Sequence, residues 1–379
     1  MIRATRWLLA ACLLTFITTQ AVASRKYGNW ASTSHQEVQR LQHPTVESRM
    51  RAMTPGPEAG YKFVFFGDQR AAADGDWQTI LARVQKLSQA DERLLFMVDG
   101  GDIVNDGRYT DQFHYLAESI LKPVRAIPYL VAVGNHEIRE HTPAARQSVA
   151  TFLGYLDKDF SSERFYYRKD IGPVRFLFLD SNDMVYDDLN HGRRTKAQMD
   201  WVVAELARPA PETPTTIVVL HHPMIQSSNV HQDHASRLWN TTVGGKRLVD
   251  ALVDGGVQIV LTGHTHTYER FQLVRKQDGR KLDVINASGR PRPTVLWIGS
   301  SLRRARDIRG NEAKWLAGKG YQGLDAWRIA QVELMRKQDE ADQFALFTVE
   351  RGGGVTMEMN FIDAGAPGGF RSPPSVRIR

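Results

Sequence analysis

Cysteine is nearly absent from this chain: one residue in 379, Cys12, set inside an apolar stretch near the N-terminus. So few thiols exclude a disulfide framework, a thiolate zinc knuckle and a Cys-x-x-Cys redox pair. The chain also lacks an apolar run of the ~20 residues that a membrane-spanning helix needs, since Trp7 to Ile17 is too short. There is no internal repeat, and no low-complexity block outside the Gly/Pro-rich C-terminal end, which excludes solenoids and fibrous arrays. Charge of one sign is scarce as well. Lys and Arg number 49 against 42 Asp and Glu, a net charge of +7. That is a solvated surface with at most a modest attraction for anions, and no basic arm of the nucleic-acid-binding kind is present. What remains, 42% apolar and 24% charged, is the composition of a globular protein able to bury a large core.

The first residues carry an address. Arg3 and Arg6 form a basic n-region, Trp7 to Ile17 an apolar h-region, and Ala21-Val22-Ala23 a small-x-small cleavage site. We expect residues 1–23 to be a signal peptide and the mature protein to be exported, periplasmic or secreted. The rival is a lipoprotein anchored at Cys12, because Leu9-Ala10-Ala11-Cys12 matches a lipobox. Against it, Cys12 sits early and the apolar run continues past it. Cleavage after Ala23 would leave no cysteine and no transmembrane segment. Residues 24–60, polar and with prolines toward their end, read as a lead-in. Residues 61–363 read as the main domain and 364–379, rich in Gly and Pro, as a loose tail.

From Tyr61 strand-like and helix-like segments alternate. Trp77, Ile80, Leu81, Val84 and Leu87 have the spacing of an amphipathic helix, with Asp76 as a candidate N-cap. Phe113 to Leu121, Met199 to Leu206 and Leu248 to Val253 predict three more helices. Strand-like runs are Phe63–Phe66, Leu94–Val98, Leu130–Val133, Val174–Leu179, Ile217–Leu220, Val257–Leu261 and Val295–Ile298, with a closing hairpin over Phe344–Val349 and Val355–Phe361. The alternation predicts an α/β fold with right-handed crossovers, in which ligands gather outside the carboxyl ends of the strands.

Those ends are where the chemistry lies. Successive runs deliver Asp68, Asp102, Asn135, His221, and finally His264 and His266. Two carboxylates, an amide oxygen and three imidazoles, with no sulfur, suit Zn, Mn or Fe rather than a calcium cage. Six such groups exceed a four-coordinate zinc site that keeps a water. They suit two ions sharing a carboxylate, an arrangement that clamps the attacking and leaving oxygens of a displacement at phosphorus.

In order along the chain, Gly67-Asp68, Gly101-Asp102-x-x-Asn105, Gly134-Asn135-His136-Glu137, Val218-Val219-Leu220-His221 and Gly263-His264-Thr265-His266 resemble the calcineurin-like metallophosphoesterases. The likeness covers about Tyr61 to Gly299. Gly134-Asn135-His136-Glu137 and Tyr268-Glu269-Arg270 look like the purple acid phosphatase branch, and Gln198-x-x-Trp201 is similar to a recurring family helix. The resemblance implies a four-layer α-β-β-α sandwich of two mixed sheets flanked by helices. It also implies two divalent or trivalent ions of the Fe, Zn or Mn type. Asp68, Asp102 and His266 would hold one, and Asp102, Asn135, His221 and His264 the other. His136 would be the general acid or transition-state stabiliser, kept protonated beside two cations by a partner such as Glu137 or Asn105.

Two departures stand out. The family's first motif is often Asp-x-His, but this chain has Asp68-Gln69-Arg70. The tyrosine that purple acid phosphatases carry three residues after the second aspartate is Asn105 here. The first ion would therefore be completed by Asn105, Gln69 or water, and no purple charge-transfer band is expected. Arg70 is either a surface residue or a grip on a phosphate oxygen. His222 either contacts substrate or supports the ligands. Residues 226–242, with His231, His234 and Trp239, read as a rim loop that sets specificity. These readings predict an exported phosphoesterase acting on a small phosphate ester, with phosphomonoesters slightly favoured. A phosphodiesterase acting on nucleotides or lipid headgroups is the alternative. A non-catalytic phosphate- or metal-binding protein on the same fold is a further one, kept open by the missing Asp-x-His ligand.

Overall fold

Period-two alternation with both faces covered stacks this chain into layers. Ile217 and Val219 face one apolar cluster while Val218 and Leu220 face another, and Ile259 and Leu261 are divided from Val260 in the same way. The computed structural model describes residues 44–70, 75–117, 121–138, 143–156, 164–186, 192–209, 212–227, 232–288, 318–334 and 342–379. The expected signal peptide and the Val295–Ile298 strand lie outside the described residues.

In chain order the elements begin with helix α1 (Val46–Ala52), strand β1 (Gly60–Phe66), α2 (Gly75–Ala90), β2 (Leu94–Asp99), α3 (Thr110–Tyr115) and β3 (Tyr129–Val131). Next come α4 (Pro143–Leu156), β4 (Tyr167–Ile171), β5 (Val174–Phe178), α5 (Asn182–Val185), α6 (Gly192–Ala207) and β6 (Thr215–Val219). They are followed by α7 (Gln232–Asn240), β7 (Thr242–Val243), β8 (Lys246–Arg247), α8 (Leu248–Asp254), β9 (Val257–Thr262), β10 (Tyr268–Arg275) and β11 (Lys281–Ala287). The last strands are β12 (Trp327–Leu334), β13 (Gln343–Glu350), β14 (Val355–Ile362), β15 (Phe370–Arg371) and β16 (Val376–Arg377).

One sheet runs β15-β14-β13-β1-β2-β3, with β16 also on β14; the other runs β12-β10-β11-β9-β6-β5-β4. Both are mixed. In the first, β1, β2 and β3 are parallel and β13 joins β1 antiparallel; in the second, β5, β6, β9 and β11 are parallel, while β4 pairs antiparallel with β5, β10 with β11 and β12 with β10. The sheets pack face to face through aromatic rings. Phe176 meets Phe63 edge-on at 5.4 Å and Phe96 at 5.5 Å. On the outer face of the first sheet Trp77 of α2 sits edge-on to Phe66 at 4.9 Å. On the outer face of the second, Val202, Trp239, Leu248 and Leu252 join the cluster that holds Val218 and Val260. The result is the expected α/β arrangement of two mixed sheets with helices outside.

Several expectations need correction. Residues 364–379 are not a loose tail. β15 and β16 pair with β14, Phe370 packs on Phe344 at 5.8 Å, and Arg377 forms an ion pair with Glu350 at 2.9 Å. The Gly and Pro content marks tight turns between short strands there. The lead-in contains α1, whose Arg49 donates to the carbonyls of Ala126 and Leu94, which ties it to the body of the fold. Asp76 lies within α2 rather than before it. The rim segment 226–242 is mostly helix α7, whose Ala235, Leu238 and Trp239 are buried in the outer core; His231 lies outside the described residues. Among the described residues, no helix is long and apolar enough to cross a membrane.

Candidate metal centre

Among the described residues, five other than glycine have positive φ: Asp68 (64°), Arg70 (53°), Asp102 (59°), His264 (68°) and His266 (51°). Every one is a residue singled out from the sequence. Left-handed backbone costs a non-glycine residue about 1–3 kcal/mol, and such strain collects at functional sites. Here it turns side chains from the ends of β1, β2 and β9 toward one region. Glycines beside the candidates serve the same end. A Cβ on Gly134 would fall 2.4 Å from Asp102 Oδ1, and one on Gly263 would fall 2.9 Å from Asp68 Oδ2. Gly100 and Gly263 let the two sheets' loops touch, a Cβ on the former lying 3.1 Å from the backbone nitrogen of the latter.

The side chains then converge. His221 Nδ1 lies 2.8 Å from the carbonyl of Gly100. A carbonyl only accepts, so that nitrogen carries a proton, and Nε2 is the nitrogen left to act as a ligand when the ring is neutral. Nε2 is 3.0 Å from Asn135 Oδ1, 3.1 Å from His264 Nδ1 and 3.3 Å from Asp102 Oδ1. Four donor atoms so close together in a buried pocket are placed to hold a cation between them. Two imidazole nitrogens, a carboxylate oxygen and an amide oxygen form a donor set that fits Zn, Mn or Fe. His264 is oriented by His234 of α7, whose Nδ1 is 3.2 Å from His264 Nε2. His234 was read from the sequence only as part of the rim; a histidine on a helix after a ligand strand was its one signal.

The neighbouring half of the site is built differently. Asp68 accepts the backbone N–H of His264 at 2.8 Å and the hydroxyl of Ser288 at 2.5 Å, and its Oδ1 is 3.9 Å from His266 Nε2. Arg70 Nη2 lies 3.2 Å from Asp102 Oδ2 and 3.1 Å from His266 Nε2. Arg70 is therefore not a free surface arginine. Gln69 Nε2 donates to the Gly67 carbonyl at 3.2 Å. Two buried groups, Asp68 with Asp102 and His221, and His221 with His222 and His264, each bring one ligand atom per residue within 4.8 Å of the others.

His136 sits at the rim of Asp102. Its backbone N–H donates to Asp102 Oδ1 at 2.9 Å, its Nδ1 lies 2.6 Å from the Asn105 carbonyl, and its Nε2 is 3.8 Å from Asp102 Oδ2. Burial lowers the His136 pKa from its ordinary value while Asp102 pulls the other way. The expected partner Glu137 is occupied elsewhere, because its carboxylate caps the N–H groups of Asp102, Gly134 and Val104. Asn105 is the partner, through its main chain. Burial opposes charge on Asp102, but His221, His136 and Arg70 around it hold its pKa below the usual carboxylate value. His222 is fully buried, with Nδ1 2.9 Å from Ser181 Oγ and its ring 4.5 Å from that of His264, which places it behind the ligands.

The profile of the family described as Calcineurin-like phosphoesterase matches residues 61–268, more than half of the chain. The chain belongs to the calcineurin-like phosphoesterase family. Among curated relatives in that family, it is 27% identical over 179 residues to purple acid phosphatase 22 of Arabidopsis thaliana, covering 45% of this chain and 38% of that one. To purple acid phosphatase 18 of the same plant it is 30% identical over 161 residues, covering 41% and 34%. The chain thus spans little more than a third of the length of these two relatives. Among solved structures, the purple acid phosphatase PPD1 of yellow lupin superposes with a TM-score of 0.50 at 16% identity, covering 80% of this chain and 51% of that one. That likeness shows the metallophosphatase sandwich fold. The calcineurin-like phosphoesterases use a dinuclear metal centre, and this chain brings two buried groups of His and Asp ligands together.

Proposed function

We propose that this protein is an exported phosphoesterase that hydrolyses small phosphate esters at the centre built on Asp102. The observation that carries the reading is the meeting of Asn135 Oδ1, His264 Nδ1 and Asp102 Oδ1 within 3.0–3.3 Å of His221 Nε2. When bound, metal supplies Lewis acidity to the ester oxygens and an activated water as nucleophile. Asp102 orients the site through both oxygens, and its own backbone is held by Glu137. Arg70, 3.2 Å from Asp102 Oδ2, would offset the negative charge of a phosphoryl group bound beside that carboxylate. His136, anchored at Nδ1 by the Asn105 carbonyl, presents Nε2 to the leaving oxygen. As the ester P–O bond breaks and a P–O bond to water forms, the proton that the leaving oxygen needs comes from that nitrogen in its protonated form. Export rests on the Arg3, Arg6, Trp7–Ile17 and Ala21-Val22-Ala23 pattern.

Phosphomonoesters are the favoured substrates, on the likeness to proteins named purple acid phosphatases. A diester reading has its own support. The chain is 30% identical over 171 residues to a probable cyclic nucleotide phosphodiesterase of Rhodococcus erythropolis, covering 43% of this chain and 50% of that one. Aryl phosphate mono- and diesters of matched leaving groups, assayed with Zn, Mn and Fe, separate the two. Monoesters are expected to be hydrolysed faster; faster diester hydrolysis supports the second reading, and no hydrolysis in any combination contradicts both.

A further inference from the structure

The two halves of the centre do not treat a cation alike. On the His221 side two imidazole nitrogens and two side-chain oxygens converge. On the His266 side the lone pair of Nε2 already faces a cation, the guanidinium of Arg70, whose Nη2 lies 3.1 Å away. The same nitrogen is 3.2 Å from Asp102 Oδ2. Arginine donates only and keeps its proton at any pH the protein meets, so Nη2 cannot itself ligate a metal. An ion bound to His266 Nε2 at the usual ~2.0–2.2 Å, on the line toward Nη2, would stand about 1 Å from that nitrogen. That is far inside contact distance, so the donor set Asp68, Asp102 and His266 does not fit an ion while Arg70 is in place.

Arg70 is also held there by its main chain. Its φ is 53°, and its N–H donates to the Asp102 carbonyl at 2.8 Å. Asp68 is engaged as well, by Ser288 and by the His264 N–H. Arg70 stands where the Asp-x-His pattern would supply a ligand, so this chain replaces a lone pair by a fixed positive charge. The Arg70 Nε–H is buried with no hydrogen-bond partner among the described residues. A phosphate oxygen is an acceptor that would satisfy it.

We infer that the Arg70 guanidinium takes the place of the first metal ion. The chain then binds one ion, at Asp102, Asn135, His221 and His264, and pairs it with a protein cation that grips the phosphoryl group. Asp102 would serve both, since Oδ1 lies 3.3 Å from His221 Nε2 and Oδ2 lies 3.2 Å from Arg70 Nη2. This inference rests on the phosphoesterase reading and keeps the family's two positive centres while changing the chemistry of one.

Metal stoichiometry tests it. Full-length protein equilibrated with excess Mn or Zn and then desalted is expected to retain one ion per chain. The Mn-loaded protein is expected to give the paramagnetic resonance spectrum of an isolated ion. Arg70→His, which restores the Asp-x-His pattern, is expected to retain two ions and to show an exchange-coupled Mn pair. Arg70→Ala is expected to weaken binding of inorganic phosphate at least tenfold. Two tightly held, coupled ions in the wild type, or a single ion in folded Arg70→His, overturns the inference. If Arg70→His does not fold, the wild-type count decides alone. Two ions with full hydrolysis would sink this inference and leave the phosphoesterase reading standing; no bound ion and no hydrolysis would sink that reading instead.

Discussion

The Glu137 carboxylate holds the backbone N–H of Asp102 at 2.8 Å, and with its two oxygens it also caps Gly134 and Val104. The residue next to His136 thus works on the central aspartate. One buried carboxylate fixes the two loops that carry Asp102, Asn135 and His136.

Glu137→Gln is expected to disturb that arrangement. The amide would set an N–H against the Val104 N–H or against the pair at Asp102 and Gly134. A buried group left unsatisfied costs about 1–3 kcal/mol. Chemical denaturation should show a loss of that size, and metal titration a weaker affinity. An unchanged midpoint and affinity would contradict the role given to Glu137.

His136→Ala is expected to keep the bound metal and to lower kcat by about 10²–10⁴, the usual range for loss of a general acid. The loss should be greatest for esters with poor leaving groups. A plot of log kcat against leaving-group pKa is expected to steepen in the variant. A uniform loss across leaving groups would remove proton donation from the account.

Much of this centre was legible in the sequence because parallel strands deliver their last residues to a common edge. Apolar runs ending in Gly-Asp, Gly-Asn-His and Gly-His-x-His point to one place in such a sheet, and Asp68, Asp102, Asn135, His221, His264 and His266 do meet there. Partnerships across the chain were not legible. Arg70 is two residues from Asp68 in sequence, yet a left-handed backbone aims it at His266. Strands β10 and β11 were hidden because Arg270, Asp283 and Glu269 interrupt their apolar pattern. Those charges are buried in pairs or capped, with Arg270 2.8 Å from Asp283 and Glu269 accepting from Asn286 at 3.0 Å. Pairing of β15 and β16 with β14 depends on contacts that a local pattern of Gly and Pro does not reveal.

Away from the centre, Asp183 shapes the pH dependence of stability. Burial, with Asp180 nearby, pushes its pKa up to about 6, against the pull of Arg146 and Arg194. An acid whose pKa is higher in the fold than in the unfolded chain stabilises most below the unfolded value. Its contribution declines as pH rises through the folded value. Asp183→Asn should flatten the decline in Tm between about pH 4 and about pH 7 and raise Tm at the upper end. A variant whose Tm follows the wild type in parallel would contradict this.

Asp102 is the residue on which the whole account turns, since Asn135, His221, His136 and Arg70 are all arranged around its carboxylate. The most direct test measures bound metal and aryl phosphate hydrolysis together in the wild type and in Asp102→Ala, with folding verified by circular dichroism. The account predicts that the folded variant loses both. Hydrolysis at the wild-type rate, with metal retained in Asp102→Ala, would contradict it.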